Sequence, residues 1–335
     1  MTKSFVTAKE VAALAKVSRS TVSRTFTEGA SVAPDVRQRV EEAAKALGYR
    51  VNKLAQNLSA DQSQIVGVVG SNLSTPFAAR QLDQLSRGLL QRGMQCLLLN
   101  AADAQHDISP LIEQVLEFRV RAIVIMSGAP PGAIIDECLA NGVRVIVVNR
   151  QTDVETDTIL SDDVAGVRQA AERLIMAGCR FPAVVSSSAR TQSQARRRNE
   201  FLKLMFEAGL EPAIWAQGVM SYETGQLAAR DLLATETVDG VFCVTDLLAL
   251  GFLDAARDMG RRVPEEVSVI GFDDIPQANW SAYQLTTIRQ PLDELTDAVL
   301  AAIDRDVRGG NSRPIRRILP ATLIERATVR APTTV

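Results

Sequence analysis

The chain has 335 residues, of which 46% are hydrophobic and 23% are charged, and its formal net charge is −2 at pH 7. This length accommodates a small domain and one or two larger ones, and no apolar run is long enough to span a membrane. The first residues lack the apolar stretch of a secretory signal, which predicts a cytoplasmic protein. Four scattered cysteines without a CxxC pair and a single histidine, His106, argue against a zinc site, a disulfide framework or a histidine triad.

The charge is unevenly distributed along the chain. Residues 1–60 carry ten basic and five acidic residues, a net charge of +5, whereas the remainder carries 27 basic and 34 acidic residues, a net charge of −7. A basic amino-terminal segment on an acidic body is typical of a segment that binds a polyanion. The charge alone leaves open the alternative of a basic surface that is merely solvated.

The amino-terminal segment carries start signals for two short helices. Thr7 and Glu10 fit a capping box that opens the first helix, which should end near Lys16. Ser18 is a good N-cap for a second helix over residues 19–26. Two short helices joined by about three residues match a helix-turn-helix.

A third helix completes the amino-terminal head. Pro34 stands at an early helical position, and Gly48 ends the helix. The apolar residues between them recur with helical spacing, at Val36, Val40, Ala43, Ala44 and Leu47. We therefore expect an all-α head over residues 1–50.

The second helix has an apolar and a polar face. The spacing of its apolar residues turns Val17, Val22 and Phe26 inward. The outer face then carries two arginines and two serines, namely Arg19, Ser20, Ser23 and Arg24. Such a helix fits the major groove of DNA, where an arginine can read guanine by a bidentate contact and short hydroxyls can bind phosphates.

From residue 65 onward, buried strands alternate with helices. The strand-like segments are IVGVVGS, QCLLLNAA, AIVIMS, VRVIVVN, AVVSSS, GVFCVT and VSVIGF. The helical stretches are 77–92, 108–118, 132–141, 163–177, 194–208, 222–234, 247–259 and 291–307. This alternation predicts doubly wound parallel sheets. Because there are more strands than one compact sheet needs, we expect two α/β lobes with a ligand cleft between them, at the carboxyl ends of the strands.

The sequence contains none of the catalytic motifs that we sought. It lacks a GxGxxG after a strand, a Walker loop, an HExxH and a GxSxG elbow. Asp273 and Asp274 follow a buried strand, where an acid/base or metal pair, a turn cap and ligand contacts are the alternatives. Because no acid, base and nucleophile converge, we predict a protein that is not an enzyme and that needs neither a metal nor a cofactor.

The pieces VA..A.VS..TVSR, V....R..V..AA..LGY and N..AQ.LS carry a family resemblance. Together they resemble the DNA-binding domain of the LacI/GalR family of bacterial transcription regulators. The resemblance implies a hinge helix and linker over residues 51–61 and a leucine, Leu58, inserted into the minor groove. The DNA-binding residues that it implies are Thr7, Ser18, Arg19, Ser20, Thr21, Ser23, Arg24, Asn52, Ala55 and Leu58.

Two residues of the head depart from the family pattern. Lys16 stands where the family usually has glycine in the turn, and a positive φ there costs a lysine about 1 kcal/mol. Val51 replaces the usual proline before Asn52, which leaves the start of the hinge less restricted.

The pieces IVGVV.SNLSTPF, SDDVAG, RRVPEEVSVIGFDDIP, LTTIRQP and LPATLIER carry the same resemblance through the body. They are similar to the family's effector-binding core, which is related to periplasmic sugar-binding proteins and here spans residues 62–335. The implied effector-binding residues are Phe77, Asn149, Arg150, Ser193, Arg197, Asp246 and Asp273. Arginine and aspartate suit vicinal hydroxyls, because each offers two parallel hydrogen-bonding groups.

An arginine-rich stretch bears on the chemistry of the effector. Met220 lies near a position at which the family frequently has an aromatic residue in the pocket. Because the cleft then has fewer aromatic residues, a plain neutral hexose fits it less well. If Arg190 points inward beside Arg197, the effector is an anion such as a sugar acid or a sugar phosphate. The alternative for Arg196 and Arg198 is the exposed face of their helix.

The resemblance implies a homodimer that binds near-palindromic operator DNA, acts as a repressor and responds to a sugar, sugar acid or sugar phosphate. A free-standing sugar-binding protein and an α/β enzyme are the rivals. Neither has a use for the basic head.

Overall fold

The computed structural model describes residues 5–27, 29–51, 63–101, 108–126, 132–152, 154–188, 191–235, 237–305 and 313–332. The chain divides into two compact units, Met1–Ser63 and Gln64–Val335, which we call the head and the core. The predicted hinge, residues 51–61, lies outside the described residues except for Val51. Among the described helices, none is both long and apolar enough to cross a membrane.

The head contains three described helices, α1 (Ala8–Ala15), α2 (Arg19–Thr25) and α3 (Pro34–Leu47). The predicted caps are confirmed: the backbone N–H of Thr7 donates to Glu10 Oε2 at 2.7 Å, and Ser18 Oγ accepts from the N–H of Thr21 at 3.1 Å. Lys16 ends α1 with a φ of 54°, a left-handed conformation that glycine adopts without strain.

Small and branched apolar side chains form the core of the head. Val11, Val22 and Val40 are almost completely buried where the three helices meet. The ring of Phe26 lies 5.8 Å from that of Tyr49 and covers one side of this cluster. Leu47, which helical spacing assigned to the buried stripe, is partly exposed instead, because it lies in the last turn of α3 beyond the helix crossing.

Two six-stranded sheets organise the core. The first has the order β11-β5-β4-β3-β1-β2 and the second the order β12-β10-β9-β8-β6-β7. The strands are β1 (Ile65–Gly70), β2 (Gln95–Asn100), β3 (Ala122–Ile125), β4 (Arg144–Val148), β5 (Asp157–Asp162), β6 (Pro182–Ser186), β7 (Ala213–Ala216), β8 (Gly240–Cys243), β9 (Ser268–Asp273), β10 (Thr286–Arg289), β11 (Arg316–Pro320) and β12 (Thr322–Ile324).

Helices cover the faces of both sheets and define two lobes. The first lobe has α4 (Pro76–Gln91), α5 (Ser109–Leu116), α6 (Gly132–Ala140) and α11 (Leu292–Asp304). The second lobe has α7 (Asp163–Met176), α8 (Gln192–Glu207), α9 (Tyr222–Thr235) and α10 (Asp246–Asp258). All the sheet pairings described are parallel except that of β10 with β12. The predicted two-lobed α/β core is confirmed.

The chain passes between the lobes at three places. It leaves the first sheet after β5 and enters α7 of the second lobe, it leaves β10 and enters α11 of the first lobe, and it passes from β11 to β12. In each sheet the order of five strands reverses at one point, beside β1 in the first and β6 in the second. In such sheets, ligands bind beyond the carboxyl ends of the strands at this point.

Candidate functional site

The exposed face of α2 carries the side chains that the sequence assigned to DNA contact. Val22 and Thr25 are buried, whereas Arg19, Ser20, Ser23 and Arg24 are exposed. The guanidinium groups offer forked donors for base edges, and the short hydroxyls allow the helix to approach a duplex closely.

The hydroxyl of Ser18 lies at the centre of a small network at the start of α2. It caps the helix and lies 2.7 Å from Ser20 Oγ and 2.8 Å from Thr21 Oγ1. Thr7 is exposed, and its hydroxyl donates to Glu10 at 2.7 Å. These hydroxyls hold the amino ends of the two helices in place while their outer sides remain accessible.

Arg37 of α3 is a positioning residue that sequence reasoning missed. Its Nη1 donates to the carbonyl of Thr25 at 2.7 Å and its Nη2 to the carbonyl of Ala30 at 3.2 Å. The carbonyls at the end of a helix lack intrahelical partners, so this contact fixes α2 relative to α3. Asn52, Ala55 and Leu58, the predicted hinge contacts, lie outside the described residues.

A cleft in the core lies at the carboxyl ends of strands from both sheets. Its volume of about 150 Å³ equals that of an engineered cavity that holds benzene, so it suits a molecule with one ring. Six of the predicted effector residues line it, namely Phe77, Asn149, Arg150, Ser193, Arg197 and Asp273. Phe77 reaches from α4 of the first lobe and packs against the core of the second.

Arg197 of α8 is buried between two carboxylates. Its Nε donates to Asp163 Oδ1 at 3.1 Å, and its Nη1 donates to Asp273 Oδ1 at 3.2 Å and to the carbonyl of Val244 at 3.0 Å. The guanidinium carbon lies 3.6 Å from the centre of the Phe272 ring. Burial opposes its charged form, but Asp163 and Asp273 more than offset this effect and raise the pKa of Arg197.

Asp273 ends β9 in an uncommon backbone conformation. Its φ is 121°, and that of Asn149 at the end of β4 is 56°; strain of this kind clusters at functional sites. Gln290 Nε2 donates to Asp273 Oδ1 at 2.7 Å and Asn149 Nδ2 donates to Gln290 Oε1 at 3.0 Å. Burial raises the pKa of the Asp273 carboxyl to about 6, although Arg197 and Gln290 favour its charged form.

Asp246 corrects one sequence expectation. Its side chain is completely buried and does not belong to the lining of the cleft. One oxygen accepts from the N–H of Ile275 at 2.8 Å and the other from the hydroxyl of Thr287. Because both oxygens are engaged, Asp246 shapes the turn after β9 instead of facing an effector. Arg190, the other predicted contact, lies outside the described residues.

Arg196 corrects a second expectation. Its side chain is 20% exposed, and its Nη1 lies 3.6 Å from Asp163 Oδ2. It therefore belongs to the ion-pair cluster behind the cleft and does not point to solvent. Sequence reasoning gave no role to Gln290 and Thr245, two further lining residues. Gln290 directly follows β10 and lies in the matching piece LTTIRQP, and Thr245 lies two residues after β8. Within the described residues, no group of three or more histidine, cysteine or acidic side chains could hold a metal.

Comparison with known proteins identifies the family. Residues 7–52 match the family model described as bacterial regulatory proteins, lacI family, and residues 171–329 match a periplasmic binding protein-like domain. The transcriptional regulator GalS of Salmonella typhimurium is 31% identical over 292 residues, 86% of each chain. The chain belongs to the LacI family of bacterial transcription regulators. It is a DNA-binding regulator controlled by a small molecule, not an enzyme.

Two further similarities extend over nearly the whole chain. The transcriptional repressor PurR of Erwinia tasmaniensis is 28% identical over 332 residues, which cover 97% of both chains. The structure of the lac repressor dimer bound to operator and an anti-inducer superimposes with a TM-score of 0.85 at 23% identity, and the match covers 98% of this chain and 100% of that one. The head and the two lobes therefore share the fold of that repressor.

Proposed function

We propose that the protein is a homodimeric repressor whose affinity for operator DNA is set by a small sugar-like effector. In this proposal, residues 1–50 bind the major groove, residues 51–61 form the hinge and residues 62–335 bind the effector and dimerise. The relatives named repressors and the lac repressor dimer on its operator support the assignment. Regulation of this kind belongs in the cytoplasm, where the DNA is.

The exposed face of α2 is the observation that carries the DNA-binding half. Arg19 and Arg24 project from a short helix whose opposite side is buried against α1 and α3. In helix-turn-helix proteins, the second helix lies in the major groove and its amino-terminal residues contact base edges. Two such heads, related by a twofold axis, suit a near-palindromic site.

The free ends of Arg197 and Asp273 support an effector with hydroxyl groups. No described residue accepts from Arg197 Nη2 or donates to Asp273 Oδ2, although their neighbouring atoms are engaged. A free donor and a free acceptor in the lining of one cleft match two adjacent hydroxyls, since one hydroxyl can accept and the next can donate. The ring of Phe77 offers an apolar surface in the same cleft.

The cleft provides a means of control because its lining comes from both lobes. Phe77 and Asn149 belong to the first lobe, and Arg197 and Asp273 to the second. An effector that touches both groups favours one degree of lobe closure over another. The resulting difference in operator affinity is typically about 1–3 kcal/mol, or 5-fold to 150-fold.

Selection of binding sites from random DNA with the full-length protein tests the proposal. We expect recovery of a near-palindromic sequence, with binding that weakens as salt rises because phosphate contacts release counterions. A thermal-shift panel of sugars, sugar acids and sugar phosphates then identifies compounds that change operator affinity. Failure to select any sequence at low salt would refute the assignment. Leu58→Ala tests the hinge: it should reduce DNA bending and specific affinity and leave effector binding unchanged.

A further inference from the structure

The charged groups on and behind the cleft do not balance. Arg196 and Arg197 pair with Asp163 and Asp273 at distances of 3.1–3.6 Å, so these two cations and two anions neutralise one another. Arg150 lines the same cleft and stands apart from this cluster. Among the described residues, the cleft and the cluster behind it therefore carry one positive charge in excess.

Arg150 has no countercharge within the described part of the chain. No described carboxylate lies within ion-pair distance of its guanidinium, and the side chain is only partly exposed. Burial lowers the pKa of this arginine, and no acidic group among the described residues offsets the effect. A half-buried guanidinium without an anion is costly, since most charges at such depth are paired. The free forked donor is suited to a carboxylate or a phosphoryl group.

The amino ends of three helices also favour an anion in the cleft. The N-caps of α4, α8 and α10 are Thr75, Thr191 and Thr245; each lines the cleft, and none makes a side-chain capping hydrogen bond. The first N–H groups of a helix lack internal partners and carry partial positive charge. The arrangement around the cleft thus offers donors and positive potential to an anion.

Thr245 adds an unused donor to this arrangement. Its side chain is 5% exposed, and its hydroxyl has no hydrogen-bond partner among the described residues. The hydroxyl of Thr191 is likewise buried and unpartnered. Buried hydroxyls are rarely left unsatisfied, so each is available to a bound molecule. The nearby carboxyl of Asp246 opposes an anion only weakly, because burial raises its pKa to about 8.

We propose that the effector is an anion, a sugar acid or a sugar phosphate, whose charged group binds Arg150 while its hydroxyls bind Arg197 and Asp273. This inference rests on the proposed function and specifies the chemistry of its effector. The anion-binding residue is thus Arg150 after β4, whereas sequence reasoning pointed to Arg190. A carboxylate and a phosphoryl group make the same forked contact with a guanidinium, so the experiment separates them.

Calorimetric titration of the full-length protein tests the proposal with matched probes. The panel contains D-glucose, D-glucuronate and D-glucose 6-phosphate, and D-galactose with D-galacturonate and D-galactose 6-phosphate. Inorganic phosphate is compared with chloride at equal ionic strength by thermal shift. We expect one class of anion to bind at least about tenfold more tightly than its neutral parent. We also expect phosphate to raise the Tm more than chloride does.

Arg150→Ala should abolish both the tighter binding of anions and the rise in Tm with phosphate. R150K should keep part of each, because lysine keeps the positive charge but lacks the two parallel donors of the guanidinium. The control is Arg87→Ala on α4, whose side chain is 73% exposed and outside the cleft; it should bind every probe as the wild type does. The proposal is overturned if neutral parents bind as tightly as the anions. It is also overturned if phosphate fails to raise the Tm more than chloride, or if it protects R150A as well as the wild type.

Failure of this proposal is distinguishable from failure of the proposed function. A neutral sugar that changes operator affinity equally in the wild type and in R150A would support the proposed regulator and contradict an anionic effector. If the protein selects no DNA sequence but phosphate still raises its Tm in a way that depends on Arg150, the proposed function is contradicted and the anion site is supported. The two measurements share no reagent except the protein.

Discussion

Arg197 Nη1 lies 3.2 Å from Asp273 Oδ1, with Arg197 on α8 and Asp273 at the end of β9. Both belong to the second lobe, and both side chains are almost completely buried. The pair is held from behind by Asp163 and Gln290. An effector therefore meets donors and acceptors that are already oriented, which reduces the entropy cost of binding.

Asp273→Asn should weaken effector binding without changing operator affinity in the absence of effector. The amide keeps the volume of the side chain, but one carboxylate oxygen is replaced by a donor that cannot accept from a hydroxyl. We expect at least a tenfold loss of effector affinity, about 1.4 kcal/mol. Operator titrations with and without effector measure both quantities. A variant that responds to effector as the wild type does would remove Asp273 from the site.

Arg197→Ala should lower the free energy of unfolding of the core by about 3–5 kcal/mol, because it removes the described cation that pairs with buried Asp273 and one of the two that pair with Asp163. Adding Asp163→Asn removes one of the two carboxylates and should restore part of the loss. Urea unfolding measures the difference between the single and the double variant. Arg262→Ala removes a side chain that is 70% exposed and is the control. Equal stability of R197A and wild type would contradict the buried network.

Asp246→Asn should change how the stability of the core depends on pH. Burial and the charge of Asp273 raise the pKa of Asp246 to about 8, far above that of an unfolded aspartate. The stabilisation that this proton provides is complete below about pH 4 and is lost as the pH rises through 8. Relative to the wild type, D246N should therefore gain about 3–4 kcal/mol between pH 5 and pH 8.

Urea unfolding at these two pH values checks the result, and Asp258→Asn, which removes an exposed carboxyl from the same helix, serves as the control. A constant difference between D246N and the wild type at both pH values would show that Asp246 is ionised throughout.

Lys16→Gly should stabilise the head by about 1 kcal/mol, because the φ of 54° strains a lysine and not a glycine. The matched control is Lys45→Gly in α3, where the backbone is right-handed and glycine should cost about 1 kcal/mol. Thermal unfolding of the two variants shows whether each substitution raises or lowers the stability of the head. A loss of stability in K16G would mean that the side chain of Lys16 contributes more than the strain removes.

Arg24→Ala should weaken operator binding by about 1–3 kcal/mol and relax the base preference at one position of each half-site. Arg39→Ala on α3 removes an equally exposed charge away from α2, so it should change affinity less and leave the selected sequence as it was. Site selection followed by fluorescence anisotropy measures both. An unchanged base preference in R24A would mean that α2 does not read the sequence as proposed.

The fold was largely predictable because periodicity and caps act locally. Apolar strands separated by helices predict a doubly wound core, and every helical stretch predicted there is present within a few residues. The strands that escaped prediction are β5, β7, β10, β11 and β12. Their segments are short or polar, as in Asp157–Asp162 and Arg316–Pro320, and gain strand structure from neighbours in the sheet.

The candidate site was predictable only through the family resemblance. Arg197 and Asp273 were predicted because the resemblance to the effector-binding core assigns effector contacts to them. The sequence could not show that Asp246 is buried away from the cleft or that Arg150 lines it without a described countercharge. Each outcome depends on contacts with residues that are distant in the sequence. Asp246 meets Thr287 from another strand, and Arg150 has no acidic neighbour at all within the described residues.

The three passages of the chain between the lobes restrict how the core can move. Two bodies tied by three neighbouring segments can rotate about them, but sliding would stretch at least one segment. A molecule that enters the cleft can thus only set the angle of a single rotation. Substitutions that never touch that molecule, such as changes at Ala321 between β11 and β12, should shift the same angle and mimic its presence or absence.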